Sequence, residues 1–91
     1  MDKNTEDFFK NIEKILDEAD YLGLSNFTYD LFDCIYSDIV AETATDFSKN
    51  IVEAYANEIR NSLEIMNPDL KSDIEMLEKV LIEMERYVEL G

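Results

Sequence analysis

Histidine and tryptophan are absent from this 91-residue chain, and cysteine, proline and glycine are scarce. Because Cys34 is the sole cysteine, no disulfide can form within the chain. Zinc sites draw mainly on cysteine and histidine, and nucleophilic active sites usually pair a nucleophile with a base such as histidine. This composition supplies neither combination, so we predict no catalytic residues, no metal site, no cofactor and no enzymatic activity.

Positive charge is also in short supply, with 8 Lys and Arg against 22 Asp and Glu and a formal net charge of −14. Nucleic acids and anionic lipids are bound through basic side chains, so we predict no direct nucleic-acid partner and no membrane partner. Residues 1–20 lack the pattern of a secretory signal, and no apolar run has the length of a membrane span. We therefore expect a cytoplasmic protein.

One long segment lacks basic residues entirely, the thirty-four residues between Lys14 and Lys49. The segment carries eight acids and six aromatic residues. They are Asp17, Glu18, Asp20, Asp30, Asp33, Asp38, Glu42 and Asp46, with Tyr21, Phe27, Tyr29, Phe32, Tyr36 and Phe47. Unpaired like charges oppose the compact state, so folding alone does not account for this composition. The segment has the character of a surface for a positively charged partner.

Apolar residues recur at steps of three and four, which predicts helices over about residues 5–22, 26–42, 46–66 and 68–90. Short connections favour an all-α fold, a compact antiparallel four-helix bundle, with residues 1–91 forming a single domain. The predicted helix-boundary residues are Asn4 or Thr5, Gly23, Ser25 or Asn26, Thr45 or Asp46, and Asn67 followed by Pro68 as first helical residue.

Each helix has a predicted core face. In the first helix it comprises Phe8, Ile12, Ile15, Leu16, Ala19 and Leu22. In the third it comprises Phe47, Ile51, Tyr55, Ile59, Leu63 and Met66, with Val52 and Ala56 alongside. In the fourth it comprises Ile74, Leu77, Leu81, Met84 and Val88. Glu75 and Lys79 are spaced for an ion pair along the last helix.

The second helix has two apolar stripes. The predicted core stripe comprises Phe27, Leu31, Cys34, Ile35 and Ile39, which makes Cys34 a small buried hydrophobe. The other stripe comprises Tyr29, Phe32, Tyr36 and Val40. Either the helix is packed on two sides, or one stripe faces solvent and binds a partner. We predict burial of Phe32 and Val40, and both alternatives stay open for Tyr29 and Tyr36.

Acids border the aromatic stripe, which is the mixture expected of a protein-binding surface. Carboxylates attract a basic partner, and tyrosines bury much area at little conformational cost. The predicted partner-binding residues are Tyr29, Asp30, Asp33, Tyr36, Asp38, Glu42 and Asp20. In size, acidity and helical character the chain resembles bacterial immunity proteins and some phage inhibitors of nucleases. No motif assigns it to one of these families, so no residue roles are transferred.

Three functions are compatible with these features. The first is an immunity protein or other inhibitor of a basic toxin or nuclease. The second is a structural or adaptor subunit that buries its extra apolar stripe by self-association or in a complex. The third is an antitoxin or phage inhibitor that mimics a nucleic acid, a narrower form of the first.

Overall fold

A computed structural model describes residues 3–18, 23–41 and 49–90 of the chain. It contains helices α1 (Lys3–Glu18), α2 (Asn26–Ile35), α3 (Lys49–Ile65) and α4 (Lys71–Leu90). Helix α2 continues directly into a π-helix, the π segment, over Tyr36–Ala41. No strand occurs in these ranges, so the predicted all-α, four-helix fold is confirmed. None of the described helices is long and apolar enough to cross a membrane.

Helix α4 is the central packing element, because it contacts both α1 and α3, while the π segment packs against α1. Thr5 near the start of α1 hydrogen-bonds through its hydroxyl to that of Tyr87 near the end of α4, at 3.0 Å. Asn11, six residues later in α1, donates to Glu83, four residues earlier in α4, at 3.2 Å. Helices α1 and α4 are therefore antiparallel, as predicted. The assignment of residues 1–91 to one domain stays a prediction.

A single apolar core joins all four helices and the π segment. It comprises Phe8, Phe9, Ile12, Leu16, Leu31, Phe32, Ile35, Ile39, Val52, Ala56, Ile59, Leu77, Val80, Met84 and Tyr87. The radius of gyration is 12.7 Å, close to the roughly 12 Å expected of a compact chain of this length. At one end of the core the rings of Phe8 and Tyr87 stack with centroids 4.5 Å apart.

The helix boundaries differ from the prediction at three points. Helix α1 begins at Lys3, so Thr5 lies inside the helix as a buried residue rather than at a cap. Gly23 has no positive φ and does not form a left-handed C-terminal cap. Helix α4 begins at Lys71, because Asn67 organises a turn instead of capping the helix. The Asn67 side chain accepts from the Asp69 amide at 2.9 Å.

Several predicted positions lie outside the described residues. They are Ala19, Asp20, Leu22, Glu42, Thr45, Asp46, Phe47 and the side chain of Val40. The pairing of Glu75 with Lys79 is confirmed at 3.6 Å. Both side chains are exposed, so the pair contributes little to stability.

The core stripe of α2 differs from its predicted position. Phe27 is 51% exposed and Cys34 is exposed, so the prediction that both are buried is wrong. Thr28 is fully buried instead, and the stripe continues through Leu31, Phe32, Ile35 and Ile39. Burial of Phe32 is confirmed. A polar residue therefore occupies the first core position of this helix, and apolarity alone could not reveal it.

The buried seam of α4 shows the same effect. Its members are Asp73, Leu77, Val80, Met84 and Tyr87. The predicted seam residues Ile74, Leu81 and Val88 are only partly buried, because the seam begins one residue earlier than expected. Asp73 is 1% exposed, and so a carboxylate occupies the first core position.

The two buried polar residues meet each other. Thr28 donates from its hydroxyl to Asp73 Oδ2 at 2.6 Å. Ser25, the N-cap of α2, donates its amide to both carboxylate oxygens at 3.1 and 3.2 Å and its hydroxyl to Oδ2. We call Ser25, Thr28 and Asp73 the polar clasp. Asp73 also lies in the first turn of α4, so the N-termini of two helices favour its negative charge.

The polar clasp keeps Asp73 ionised. Burial alone raises the pKa of a carboxyl group, but the hydrogen bonds from Ser25 and Thr28 outweigh burial and hold the pKa of Asp73 below its ordinary value of 3.8. A lowered folded-state pKa contributes stability above the ordinary value, and that contribution is lost as the pH falls through the folded-state value. The clasp is therefore an acid-sensitive link between α2 and α4.

We predict that Asp73→Asn lowers the free energy of unfolding by about 2–4 kcal/mol at pH 7, because it leaves buried donors without their charged acceptor. Urea denaturation measures the difference. The matched control is Glu78→Gln, an exposed acid on the same helix, which should change stability by less than about 0.5 kcal/mol. The difference in the free energy of unfolding between wild type and Asp73→Asn should become smaller below about pH 4. Equal stability of the two proteins at pH 7 would contradict the clasp.

We predict that Cys34 in the folded protein reacts completely with a maleimide, because the side chain is exposed on α2. The labelling rate in buffer should approach the rate in urea, as followed by mass spectrometry. Labelling that requires unfolding would show that the predicted burial of Cys34 was right and the observed orientation of α2 wrong.

Candidate protein-binding site

A groove of about 410 Å³ lies between the end of α1 and the exposed side of α2. We call it the acidic groove. It is lined by Leu16, Asp17, Tyr29, Phe32, Asp33 and Tyr36. Three of these, Tyr29, Asp33 and Tyr36, belong to the set predicted from sequence to bind a partner. The structure therefore brings part of the predicted site together around one concave surface.

The floor of the acidic groove is apolar and buried. Phe32 and Leu16 are 1% and 2% exposed and belong to the core. Tyr29 and Tyr36 stand beside them, one turn before and one turn after Phe32, and are 50% and 41% exposed. Both tyrosines, for which the sequence left burial or exposure open, are therefore exposed. The phenylalanine between them is buried.

The walls of the acidic groove carry only negative charge. Asp33 on α2 and Asp17 on α1 contribute its two charged side chains, and no Lys or Arg lines it. The ion pairs observed within the described ranges join α3 to α4 or lie along α4, so none involves these aspartates. A second groove, of about 280 Å³, includes Arg86 beside Asp7 and Glu83 and is not uniformly acidic.

Asp17 lines the acidic groove but was not among the residues predicted from sequence to bind a partner. Its position on the polar side of an amphipathic helix gave no sign that it differs from other solvated acids. Asp17 and Asp33 line one groove only because α1 and α2 both border it in the fold. No signal within either helix alone could have identified the pair.

Two of the other predicted site residues lie away from the acidic groove. Asp30 is exposed on α2 but does not line the acidic groove. Asp38, in the π segment, accepts a hydrogen bond from the Tyr55 hydroxyl of α3. Asp20 and Glu42 lie outside the described residues. The predicted set is thus not one surface: Asp38 faces α3, whereas Tyr29, Asp33 and Tyr36 face α1.

The contact of Asp38 with Tyr55 changes the chemistry of the phenol. Partial burial raises the pKa of Tyr55 above its ordinary value of 10.0, and the hydrogen bond and negative charge of Asp38 raise it further. The phenol therefore stays protonated and acts as a donor. Asp38 consequently has a structural role in linking the π segment to α3.

Nothing in the described ranges resembles a metal centre, because no three Cys, His, Asp or Glu side chains lie close enough to hold an ion. What the acidic groove can do chemically is bind. Exposed aromatic faces, carboxylates and a buried apolar floor are the components of a protein-recognition surface.

We predict that Tyr55 resists ionisation until the pH is well above 10, because ionisation places a phenolate in a partly buried position beside the Asp38 carboxylate. Ultraviolet titration of wild type minus Tyr55→Phe isolates the signal of this residue. Asp38→Asn should move the transition to lower pH. A raised folded-state pKa also means that stability is lost as the pH rises past the ordinary value. Ionisation of Tyr55 near pH 10 in the wild type would contradict this contact.

Comparison with known proteins yields no relative for this chain: no family model, no curated protein and no solved structure matches it. The all-α fold and the acidic groove therefore rest on the geometry described above.

Proposed function

We propose that this protein is an inhibitor that acts by binding another protein, specifically an immunity protein that neutralises a basic toxin or nuclease through the acidic groove. The observation that carries the proposal is the composition of the groove. Two exposed tyrosines and two carboxylates line it, and no basic side chain does.

The negative charge of this protein favours a basic partner both before contact and at contact. The net charge of −14 attracts a cationic protein over distances of several ångströms and accelerates encounter. At contact, the carboxylates of the acidic groove favour partners with complementary charge and discriminate against acidic ones. The active sites of nucleases are surrounded by basic residues that bind phosphate, so an acidic inhibitor is attracted to the surface that must be blocked.

The tyrosines supply affinity that charge does not. Interface energy is concentrated in a few well-packed residues, among which tyrosine is enriched. Tyr29 and Tyr36 flank the buried Phe32, so little conformational freedom of the backbone is lost when a partner covers them. The proposed mechanism is steric: a tightly held acidic helix covers the basic surface of the toxin.

Exposed apolar side chains favour a second candidate function, a structural or adaptor subunit. Phe27, Ile65 and Ile82 are 51%, 87% and 56% exposed, on α2, α3 and α4 respectively. Self-association or a larger complex would cover such residues. Sedimentation distinguishes the candidates, because the inhibitor is expected to remain monomeric at micromolar concentration without its partner.

We predict that the tagged chain, expressed in the cells that naturally produce it, retains a basic protein whose toxic or nuclease activity it suppresses. Asp33→Asn and Tyr36→Ala should each weaken the complex by about 2 kcal/mol, roughly thirtyfold. Asp30→Asn, which removes the same charge from the same helix outside the acidic groove, should have an effect of less than about threefold.

Salt provides the second criterion of this experiment. Raising ionic strength from about 0.05 to 0.5 M should slow association at least tenfold, because it screens the attraction. A retained partner that is acidic, or whose activity is unchanged in the complex, would overturn the inhibitor proposal. Suppression that survives without any salt dependence would overturn its electrostatic basis.

A further inference from the structure

We propose that the acidic groove receives an arginine side chain of the partner. This inference rests on the proposed function, since it names the group through which a basic partner is recognised. Three properties of the groove select the occupant: its charge, its aromatic walls and its apolar floor. Its volume of about 410 Å³ lies within the range of roughly 300–1,000 Å³ typical of binding clefts.

Charge requires that the occupant be a cation. Asp17 of α1 and Asp33 of α2 both line the acidic groove. Within the described residues neither aspartate is paired in an observed ion pair. A cation bound in the acidic groove is attracted by both carboxylates.

The aromatic walls favour a planar cation over a spherical one. Tyr29 of α2 and Tyr36 at the start of the π segment are half-exposed and line the same groove. A guanidinium group stacks on aromatic faces and forms two parallel hydrogen bonds with one carboxylate. The lysine ammonium is compact and more strongly hydrated, so it gains less from either contact.

The apolar surface of the acidic groove suits the rest of the arginine side chain. Leu16 and Phe32 close the base of the acidic groove but are almost fully buried, so most of its exposed apolar surface belongs to Tyr29 and Tyr36. The three methylene groups of arginine can cover this surface while the guanidinium reaches a carboxylate. The groove therefore offers contacts to both the aliphatic stem and the charged end of the side chain.

Three capped tripeptides test the inference on the purified full chain: acetyl-Gly-Arg-Gly-amide, its lysine counterpart and its citrulline counterpart. Citrulline preserves the shape of arginine without the charge. Nuclear magnetic resonance titration follows the signals of groove residues. We expect saturating shifts with the arginine peptide, binding weaker by about threefold or more with lysine, and none with citrulline.

Matched variants localise the binding. Asp33→Asn and Asp17→Asn should each weaken the arginine peptide at least fivefold, whereas Asp30→Asn should change it by less than about twofold. Tyr36→Ala should remove most of the preference for arginine over lysine. Circular dichroism confirms that each variant is folded, which is expected because these side chains are exposed.

Several outcomes would overturn the inference. They are equal binding of arginine and lysine, equal losses in Asp30→Asn and Asp33→Asn, saturating shifts at residues away from the acidic groove, or no saturating shift at all. These failures are distinct from failure of the proposed function. If the chain suppresses a basic toxin but shows no preference for arginine, the proposed function stands and the arginine site is rejected. If the chain prefers arginine but suppresses no toxin, the arginine site stands and the proposed function is rejected.

Discussion

The buried carboxylate of Asp73 is the contact on which the arrangement of the helices depends. It accepts hydrogen bonds from the first residues of α2 while lying in the first turn of α4. A charged group at a core position is tolerated only when its hydrogen bonds are satisfied. Satisfying them here requires that the starts of two helices lie side by side. The polar clasp therefore fixes the rotation of α2, and with it the side chains that α2 presents to solvent.

The acidic groove is a consequence of that rotation. With Thr28 turned inwards, Phe32 follows it into the core, and Tyr29, Asp33 and Tyr36 are left on the side that borders α1. Asp17 then completes the groove from the neighbouring helix. Had Phe27 and Cys34 been buried instead, the exposed aromatic face would have been a different one. Stability and the candidate binding surface are thus coupled through a single helix orientation.

Much of the fold could be predicted from sequence, because helical spacing of apolar residues survives even where single positions are misjudged. The four helices were predicted correctly, and Ser25, one of the two residues predicted to cap α2, is its N-cap. The errors concern rotation: Phe27 and Cys34 were assigned to the core, and Thr28 and Asp73 were not. Each error arose because a polar side chain occupies a core position and is compensated by a partner on another helix. Such pairs cannot be predicted from the pattern of one helix considered alone, because the partner lies on a different helix.

The site was predictable in part for the same reason. An aromatic stripe bordered by acids identified Tyr29, Asp33 and Tyr36, which do share one groove. Asp38 does not line this groove. The chain passes from an α-helix to a π-helix at Tyr36, and Asp38 accepts a hydrogen bond from Tyr55 of α3. π-helices widen the turn and shift the side chains that follow. A pattern based on uniform α-helical spacing does not anticipate that shift.

The separation of the clasp residues along the chain has a consequence for synthesis on the ribosome. Ser25 and Thr28 emerge first, and their acceptor lies 48 and 45 residues later. A nascent chain that ends before residue 73 lacks the carboxylate that accepts hydrogen bonds from the amide and hydroxyl groups at the start of α2. Helix α2 is therefore synthesised before α4, but its orientation can be fixed only after the start of α4 has been synthesised. The segment that carries the acidic groove therefore receives its final orientation from α4, which is translated after it.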